Sequence, residues 1–282
     1  MPGLRRKLVE GFAGLLGLSA NRGTLTAYGS RFEVPLIGDR RVYGHEPWLA
    51  DVIAKLLETT PGGFIDVGVN LGQTMLKVAA ADPTRRYVGF EPNPACADYA
   101  SELIRANGLD FVVIPAGLGS RPGVLTLQLY SDEGTDPSAS LVADFRENAR
   151  GSRQVVVLAP AQLPEGMLPD PLAIVKIDVE GGEADVIDAL EPLLLQRRPW
   201  IVVEVLPVYS AGKADRLSRQ QRMEDVLARA SYRIYRIHRR GDEAIERLEP
   251  LETIGIHGDL ALCDYIMAPS ERADRLLTLF PA

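Results

Sequence analysis

Short apolar runs alternate with stretches of helical periodicity from Phe64 onward, and this alternation limits the fold more than any other feature of the chain. Such a pattern is the signature of a parallel sheet with helices on both faces. The runs LAIVKI and IVVEV are apolar almost throughout, as expected of strands buried on both sides. The predicted strands are 64–67, 87–91, 111–114, 172–178 and 200–205, and the predicted helices are 71–81, 94–107, 183–195 and 219–230.

The C-terminal part of the chain loses this alternation. Residues 232–237 and 260–268 have the character of strands, but no convincing helix lies between them. Two strands without a crossover helix pair most easily as an antiparallel hairpin, so we expect a mostly parallel sheet with an antiparallel edge. Outside this core we predict two further strands, 124–130 and 154–158, a polar loop at 131–140, and a small hairpin within 24–36.

Composition and net charge exclude several classes of protein. The 282 residues are 46% hydrophobic and 24% charged, which is ordinary for a globular chain that needs no disulfides. A net charge of -7 disfavours a broad nucleic-acid surface, which needs clustered Lys and Arg. Cys96 and Cys263 are the only cysteines, so we expect a reduced, cytoplasmic protein. No stretch approaches the roughly 20 apolar residues of a membrane span.

The beginning of the chain has a basic start and an apolar middle. Glu10 interrupts the apolar region, so an amphipathic helix with Leu8, Phe12 and Leu15 on one face fits better than a secretory signal. We expect this face to pack on the domain or on a second subunit of a homo-oligomer, with peripheral membrane contact as the alternative. We therefore divide the chain into an N-terminal extension, 1–45, and a main domain, 46–282.

The stretch FIDVGVNLGQT, from Phe64 to Thr74, places two glycines between a strand and a helix. Glycines at such a place let the chain turn tightly and let a ligand approach the main chain. The start of the following helix presents unpaired N–H groups. Because ligands of open α/β sheets bind beyond the carboxyl ends of the strands, we predict a cofactor site over Asp66–Gln73.

The residues around this turn favour S-adenosylmethionine over a dinucleotide. The dinucleotide fingerprint needs a second glycine where this chain has Asn70. The carboxylate of Asp66 would repel a pyrophosphate but attract an ammonium or sulfonium group. Glu91 ends the next strand and can accept hydrogen bonds from both ribose hydroxyls, although this role occurs with either cofactor. Beyond the third strand, Ala116 and Gly117 are small enough to leave room for adenine.

A second cluster of acids lies in VKIDVEGGEADVI, again at the end of a buried-looking strand. Asp178, Glu180 and Glu183 would repel one another without a function or a cation. Glu183 can serve the first turn of the following helix, where its charge suits the helix dipole. Glu204 ends the next strand, which would bring it to the same edge. These acids could act as a general base, as ligands of a divalent cation such as Mg²⁺, or as an anchor for the methionine amino group.

A competing base is His45 in the segment YGHEPW, because imidazole titrates near neutral pH. A single histidine is more often structural. We therefore rank it below Asp178, Glu204 and Glu180 as the group that handles the proton.

The chain resembles the FkbM-type methyltransferases through FIDVGVNLGQT, FEPNP and VKIDVEGGE, which occur in that order, and through YIMAP near the C-terminus. The resemblance implies an α/β class I methyltransferase fold, Rossmann-like, with a mostly parallel seven-stranded sheet, an antiparallel C-terminal edge hairpin and helices on both faces. It also implies O-methylation of a sugar, glycoconjugate or natural product. The residues expected at the cofactor are Asp66, Gly68, Asn70, Gly72, Gln73, Thr74, Glu91, Pro92, Asn93, Ala116, Gly117 and Asp178.

Two other functions stay open at the level of the sequence. One is a nicotinamide-dependent oxidoreductase of similar topology, against which Asn70 argues. The other is an inactive adenosylmethionine-binding or assembly protein that uses the N-terminal helix as its contact. The intact residues Asp66, Gly68, Glu91 and Asp178 argue against such a loss of activity.

Overall fold

The structure is a computed structural model that describes residues 22–281 apart from 39, 133 and 144. The amphipathic helix predicted near the start of the chain lies outside the described residues. The strands are β1 Arg22–Ala27, β2 Ser30–Pro35, β3 Gly63–Val67, β4 Tyr87–Phe90, β5 Phe111–Ile114, β6 Gly117–Leu118, β7 Gly123–Leu129, β8 Gly151–Leu158, β9 Leu172–Ile177, β10 Trp200–Glu204, β11 Tyr232–Arg240, β12 Ala244–Leu251 and β13 Asp264–Pro269. The helices are α1 Pro47–Thr59, α2 Gln73–Ala81, α3 Pro94–Asn107, α4 Glu183–Arg197, α5 Ala214–Arg229 and α6 Ala273–Leu279.

The core is a mixed sheet of eight strands in the order β12-β11-β13-β10-β9-β3-β4-β5. Five adjacent strands, β10-β9-β3-β4-β5, run parallel to one another. Strand β13 is antiparallel to both of its neighbours, β10 and β11. The predicted α/β fold with a mostly parallel sheet and an antiparallel edge is confirmed. The order changes direction at β3 and β9, which makes their carboxyl ends the place where a ligand is expected.

The C-terminal edge differs in detail from the prediction. We expected seven strands, with 232–237 and 260–268 as a terminal antiparallel hairpin. The two segments do pair antiparallel, as β11 and β13, but an eighth strand, β12, pairs with β11 and forms the edge of the sheet. Strand β12 was missed because it is an edge strand whose residues are mostly exposed, so AIERLEPL carries no apolar run. Residues Leu260–Leu262 form a short 3-10 helix rather than the start of a strand.

A second sheet of three strands, in the order β6-β8-β7, lies beyond β5. It contains both of the additional strands that the sequence predicts, and the predicted polar loop connects β7 toward β8. Strand β7 is antiparallel to β8, and β6 is parallel to it. Leu127, Leu129 and Val155 form a small apolar cluster of their own. This sheet forms one wall of the cleft described below.

The predicted N-terminal hairpin is present as β1 and β2, and it is fastened to helix α3. The amide of Asn107 accepts from the backbone N–H of Glu33 at 2.9 Å and donates to its carbonyl at 2.8 Å. The hydroxyl of Tyr99 donates to the carbonyl of Pro35 and accepts from the N–H of Val42, both at 3.0 Å. Side chains of α3 thus satisfy backbone groups that a two-stranded hairpin leaves unpaired. In the part of the chain that the structure describes, no helix is both long and apolar enough to cross a bilayer.

We expect Asn107→Ala to lower the free energy of unfolding by about 1–3 kcal/mol, because it leaves the N–H and carbonyl of Glu33 without partners. Urea unfolding at neutral pH measures this. Ser101→Ala is the matched control on the same helix, since the Ser101 hydroxyl bonds only to the helix carbonyl of Ala97. Equal losses in the two variants would contradict the role given to Asn107.

Candidate functional site

A cleft opens at the carboxyl ends of β3, β4 and β9 and has a volume of about 960 Å³, its open mouth included. One wall comes from the loops after these strands, and the other comes from the second sheet and the loop 131–140. Eight of the residues predicted at the site line this cleft: Gly68, Asn70, Glu91, Pro92, Asn93, Gly117, Asp178 and Glu180.

Gly68 is required by the packing of two loops against each other. Its φ is 91°, in the left-handed region, and a Cβ there would lie 1.8 Å from the carbonyl oxygen of Asp178. Gly72, the residue before α2, has a φ of 93°. Asn70 has a φ of 48°, a conformation that Asn tolerates better than most residues. The backbone of this turn therefore requires glycine or asparagine at these three positions. This requirement alone explains much of the motif FIDVGVNLGQT.

Glu91 lies at the centre of the cleft wall, buried with 6% of its surface exposed. Its two carboxylate oxygens accept from the backbone N–H groups of Asn70 and Asn93, each at 2.7 Å. Burial raises its pKa to about 7, against the effect of these two hydrogen bonds. A carboxylate has about four acceptor positions, so two remain for ligand hydroxyls. The β3–α2 turn and the start of α3 hold this side chain in place.

Asp66 is fully buried beneath the turn and does not line the cleft. Its Oδ2 accepts from the hydroxyl of Tyr87 at 2.6 Å, and its Oδ1 has no hydrogen-bond partner within the residues the structure describes. Burial raises its pKa to about 6, an effect that the nearby charge of Lys176 opposes. Gly72, Gln73, Thr74 and Ala116 likewise lie outside the cleft lining. These residues shape the turn around the site rather than its surface.

The far end of the cleft is narrow around Gly117. A Cβ at this position would lie 3.2 Å from Val157 and 3.3 Å from Leu141. Asp136 organises the loop that closes this end, because its carboxylate accepts from the backbone N–H groups of Tyr130 and Ser138. Asp136, Pro137 and Ala139 of this loop line the cleft.

Asp178 lies at the opposite end of the cleft, where it pairs with a lysine that sequence reasoning missed. The Nζ of Lys176 lies 2.9 Å from Oδ2 of Asp178, and Lys176 is 7% exposed. Burial opposes the charge on Lys176, but Asp178 and Asp66 outweigh that effect and raise its pKa. Lys176 is the strand neighbour of Asp66, so one cation separates two carboxylates.

Glu204 and Asp264 are direct partners in the antiparallel pair of β10 and β13. Burial, followed by the charges of Asp178 and Asp264, raises the pKa of Glu204 to about 9. Burial raises the pKa of Asp264 to about 7, although its oxygen lies 3.3 Å from the guanidinium of Arg239. Like-charged carboxyls held this close cannot all be ionised, so Glu204 carries a proton at neutral pH.

His45 reaches the same edge from the segment before α1. The hydroxyl of Tyr28 donates to its carbonyl at 2.7 Å and accepts from its N–H at 3.1 Å, so the tip of the N-terminal hairpin positions it. Its Nε2 lies 3.5 Å from Glu46, and Glu46 also pairs with the buried Lys77. Burial and the charge of Lys77 lower the pKa of His45, so its imidazole is neutral at pH 7.

Glu180 lies at the rim, in a backbone conformation with φ 53°. Arg146 pairs with its carboxylate, and its carbonyl accepts from the hydroxyl of Ser140 at 2.6 Å. Burial and the charge of Asp178 raise its pKa. Within residues 22–281, the three gaps aside, no group of three or more His, Cys, Asp and Glu side chains has an arrangement that could hold a metal ion.

The chain matches one protein family and several solved structures. The family model described as the methyltransferase FkbM domain matches residues 66–234. A methyltransferase FkbM from Methylobacillus flagellatus KT aligns at 12% identity and a TM-score of 0.44, covering 73% of this chain and 43% of that one. The chain therefore spans less than half the length of that structure.

Two O-methyltransferase structures align over more of their own length. One from Bacillus cereus, in complex with SAH, has 13% identity and a TM-score of 0.44, with 78% of this chain and 79% of that one covered. TomG from Streptomyces achromogenes, involved in tomaymycin synthesis and in complex with SAM, has 14% identity and a TM-score of 0.42, with 78% of each chain covered. These likenesses carry no functional argument. No curated protein matches the chain.

We expect the free energy of unfolding to fall as pH rises from about 5 to 9, because the buried carboxyls bind protons more tightly in the folded than in the unfolded state. For Glu204 this contribution is complete below its ordinary pKa of 4.5 and is lost as pH rises to about 9. Glu204→Gln mimics the protonated form, so it should flatten the fall above pH 7. Urea unfolding across this range measures it, with the exposed Glu252→Gln as control. A wild-type slope above pH 7 in Glu204→Gln would disprove the assignment.

Proposed function

The chain belongs to the FkbM methyltransferase family, and from that premise we propose that it transfers a methyl group from S-adenosylmethionine to a hydroxyl oxygen of a sugar, glycoconjugate or natural product. The family model matches more than half of the chain and includes both acid clusters of the site. That the chain is a methyltransferase follows from this membership. The cofactor, the oxygen acceptor and the class of acceptor are our proposals.

The observation that carries the proposal is the position of Glu91 in the cleft. Two of its acceptor positions are taken by backbone N–H groups and two are free, which suits the two hydroxyls of a ribose. Gly117 lines the cleft together with Pro92, Leu141 and Val157, which gives this end the mostly apolar surface that suits a flat base. A nucleoside cofactor therefore fits the residues present.

The other end of the cleft suits a positive rather than a phosphate-bearing group. Asp178 lines it, and Glu180 lies beside it. A sulfonium or an ammonium would be attracted here, whereas the pyrophosphate of a dinucleotide would be repelled. When bound, S-adenosylmethionine supplies an electrophilic methyl group. The chain has to hold an acceptor oxygen in line with that methyl at about 3 Å.

The proton of the acceptor hydroxyl needs a group that is unprotonated at neutral pH. Glu204 does not meet this condition, because its pKa is about 9, and it is suited to donate a hydrogen bond instead. Asp178 lines the cleft, and its Oδ2 lies 2.9 Å from the Nζ of Lys176. Neutral His45 meets the condition. We keep Asp178 as the first choice for the base and His45 as the second.

Several further proposals follow the sequence rather than the described geometry. We propose a cytoplasmic location from the sparse cysteines, both of which are free and buried. A homo-oligomer, a peripheral membrane contact through the beginning of the chain, and the division into residues 1–45 and 46–282 stay predictions. A divalent cation is not supported by the arrangement of the acids described above.

The two rival functions differ from this proposal in what they bind and transfer. A nicotinamide oxidoreductase would bind NADH, which is measurable by fluorescence. An inactive binding or assembly protein would bind S-adenosylmethionine without methylating any acceptor. The negative end of the cleft at Asp178 disfavours the first, and membership of a methyltransferase family disfavours the second.

We expect Glu91→Ala to weaken binding of S-adenosylhomocysteine roughly 10- to 150-fold, because hydrogen bonds to a charged acceptor contribute about 1.5–3 kcal/mol. Isothermal titration calorimetry measures the affinity. Thermal unfolding measures the loss of stability that follows when the backbone N–H groups of Asn70 and Asn93 lose their acceptor. Glu224→Ala is the control, since Glu224 also accepts a backbone N–H, from Ile254, but lies away from the cleft. An unchanged affinity in Glu91→Ala would refute the assignment.

We expect Asp178→Asn to lower turnover at saturating cofactor at least about 100-fold, which is the usual loss when a general base is removed. His45→Gln should have a smaller effect. Methyl transfer from labelled S-adenosylmethionine measures both, with the exposed Asp225→Asn as control, and each assay is repeated with EDTA. If His45→Gln is the more damaged variant, the histidine is the base. If EDTA abolishes activity and magnesium restores it, the acids act through a cation.

A further inference from the structure

A second, smaller pocket of about 330 Å³, its open mouth included, lies beside the main cleft, at the ends of β9 and β10. Its walls include Gly181, directly after the rim residue Glu180, and Val205, directly after Glu204. The pocket is therefore next to the edge where we place the acceptor hydroxyl. Its other walls are the apolar side chains of Phe145, Ala184, Leu206, Val208 and Met223, and the polar side chains of Glu183, Gln220 and two arginines of α5.

The arginines of helix α5 divide into two groups. Arg222 and Arg229, toward its C-terminal end, are ion-paired with carboxylates of α4, at 2.7 Å from Asp185 and 2.9 Å from Glu191. Arg216 and Arg219, in its first turns, make no ion pair with any carboxylate of the described residues. The unpaired two are the ones that line the pocket.

Arg216 is held in a fixed orientation. Its guanidinium stacks 4.1 Å from the ring centroid of Phe145, and it donates to the carbonyls of Pro207 at 3.2 Å and Phe145 at 2.9 Å. Arg219 lies 5.9 Å from the same ring. A guanidinium has five N–H groups, so three of those on Arg216 are left for a ligand. Burial and the neighbouring cations Arg219 and Arg146 lower the pKa of Arg216, while Tyr209 opposes this.

Two unpaired cations are unfavourable at this position. Like charges three residues apart on a helix repel each other, and the positive end of the helix dipole disfavours cations in the first turn. The nearby carboxyls compensate little: Arg146 occupies Glu180, Asp215 is exposed, and burial raises the pKa of Glu183 to about 7. An anion in the pocket would relieve this repulsion.

We propose that this pocket binds an anionic group of the acceptor, a carboxylate or a phosphate, so that the methylated hydroxyl belongs to an acidic sugar or a sugar phosphate. This inference rests on the proposed function for its meaning, since it places the anion beside the hydroxyl that is methylated. The fixed guanidinium of Arg216 suits a planar carboxylate or a phosphate through paired N–H donors. Val205, Val208 and Met223 supply apolar walls around that contact.

Calorimetry on the full chain tests the proposal with four probes: D-glucuronic acid, glucose 1-phosphate, inorganic phosphate and the neutral methyl glucoside. We expect at least one of the two sugar anions to bind below about 1 mM, the upper range of usual Michaelis constants, and the neutral sugar to bind more weakly. The stronger of the two sugar anions identifies the source of the charge. Arg219→Gln should weaken anion binding roughly 10-fold or more, and Arg219→Lys should keep part of it.

The matched control is Arg229→Gln, which removes a charge from the same helix outside the pocket. Thermal unfolding of all variants separates loss of binding from loss of the fold. The proposal is overturned if no anion binds the wild type in that range, if charged and neutral sugars bind alike, or if Arg219→Gln and Arg229→Gln bind alike. Titration with S-adenosylhomocysteine tests the proposed function separately. If S-adenosylhomocysteine does not bind, the proposed function is contradicted, whereas the result on anion binding is unaffected.

Discussion

The contact between the backbones of two strand ends is the constraint on which the site depends. Gly68 and Asp178 approach so closely that any Cβ on Gly68 would displace the Asp178 carbonyl. The N–H of Asp178 donates to the carbonyl of Val67 at 2.9 Å, and the N–H of Gly68 donates to that of Phe90 at 3.0 Å. The ends of β3, β4 and β9 are thereby locked into one edge. Glu91 and Asp178 hold their relative positions because their strands cannot shift separately.

The core strands could be predicted because strands that are buried on both faces appear in the sequence as apolar runs. Strands β5, β9 and β10 carry continuous apolar runs, and their predicted bounds differ from the observed ones by at most a residue. The edge strand β12 has no such run, since half of its surroundings are water. The position of β13 between β10 and β11 depends on pairing between distant segments, which no local pattern in the sequence encodes.

The acids of the site could be predicted because they interrupt the apolar pattern. A carboxylate at the end of a buried strand loses favourable hydration, so its presence indicates a partner or a function. Glu91, Asp178 and Glu204 stood out in this way. Lys176 and Lys77 did not, because a lysine within an apolar stretch gives no sign that its ammonium is buried. Lys176 meets Asp66 only through the register of β9 with β3, and Asp264 meets Glu204 only through the antiparallel pair of β10 and β13. The acids at the ends of the parallel strands were visible in the sequence, whereas the charged groups that the fold brings to them from other strands were not.

The balance of charge at this edge also bears on how a methyl donor and its product would be distinguished. Burial raises the pKa values of Glu204, Asp264 and Glu180, and the charge of Asp178 raises them further. A sulfonium entering this edge would be attracted by these carboxyls and would favour their ionised forms. The demethylated product has lost that positive charge, so the attraction ends with the transfer itself. The carboxyls that destabilise the free protein at high pH are therefore the groups that would favour the donor over its product.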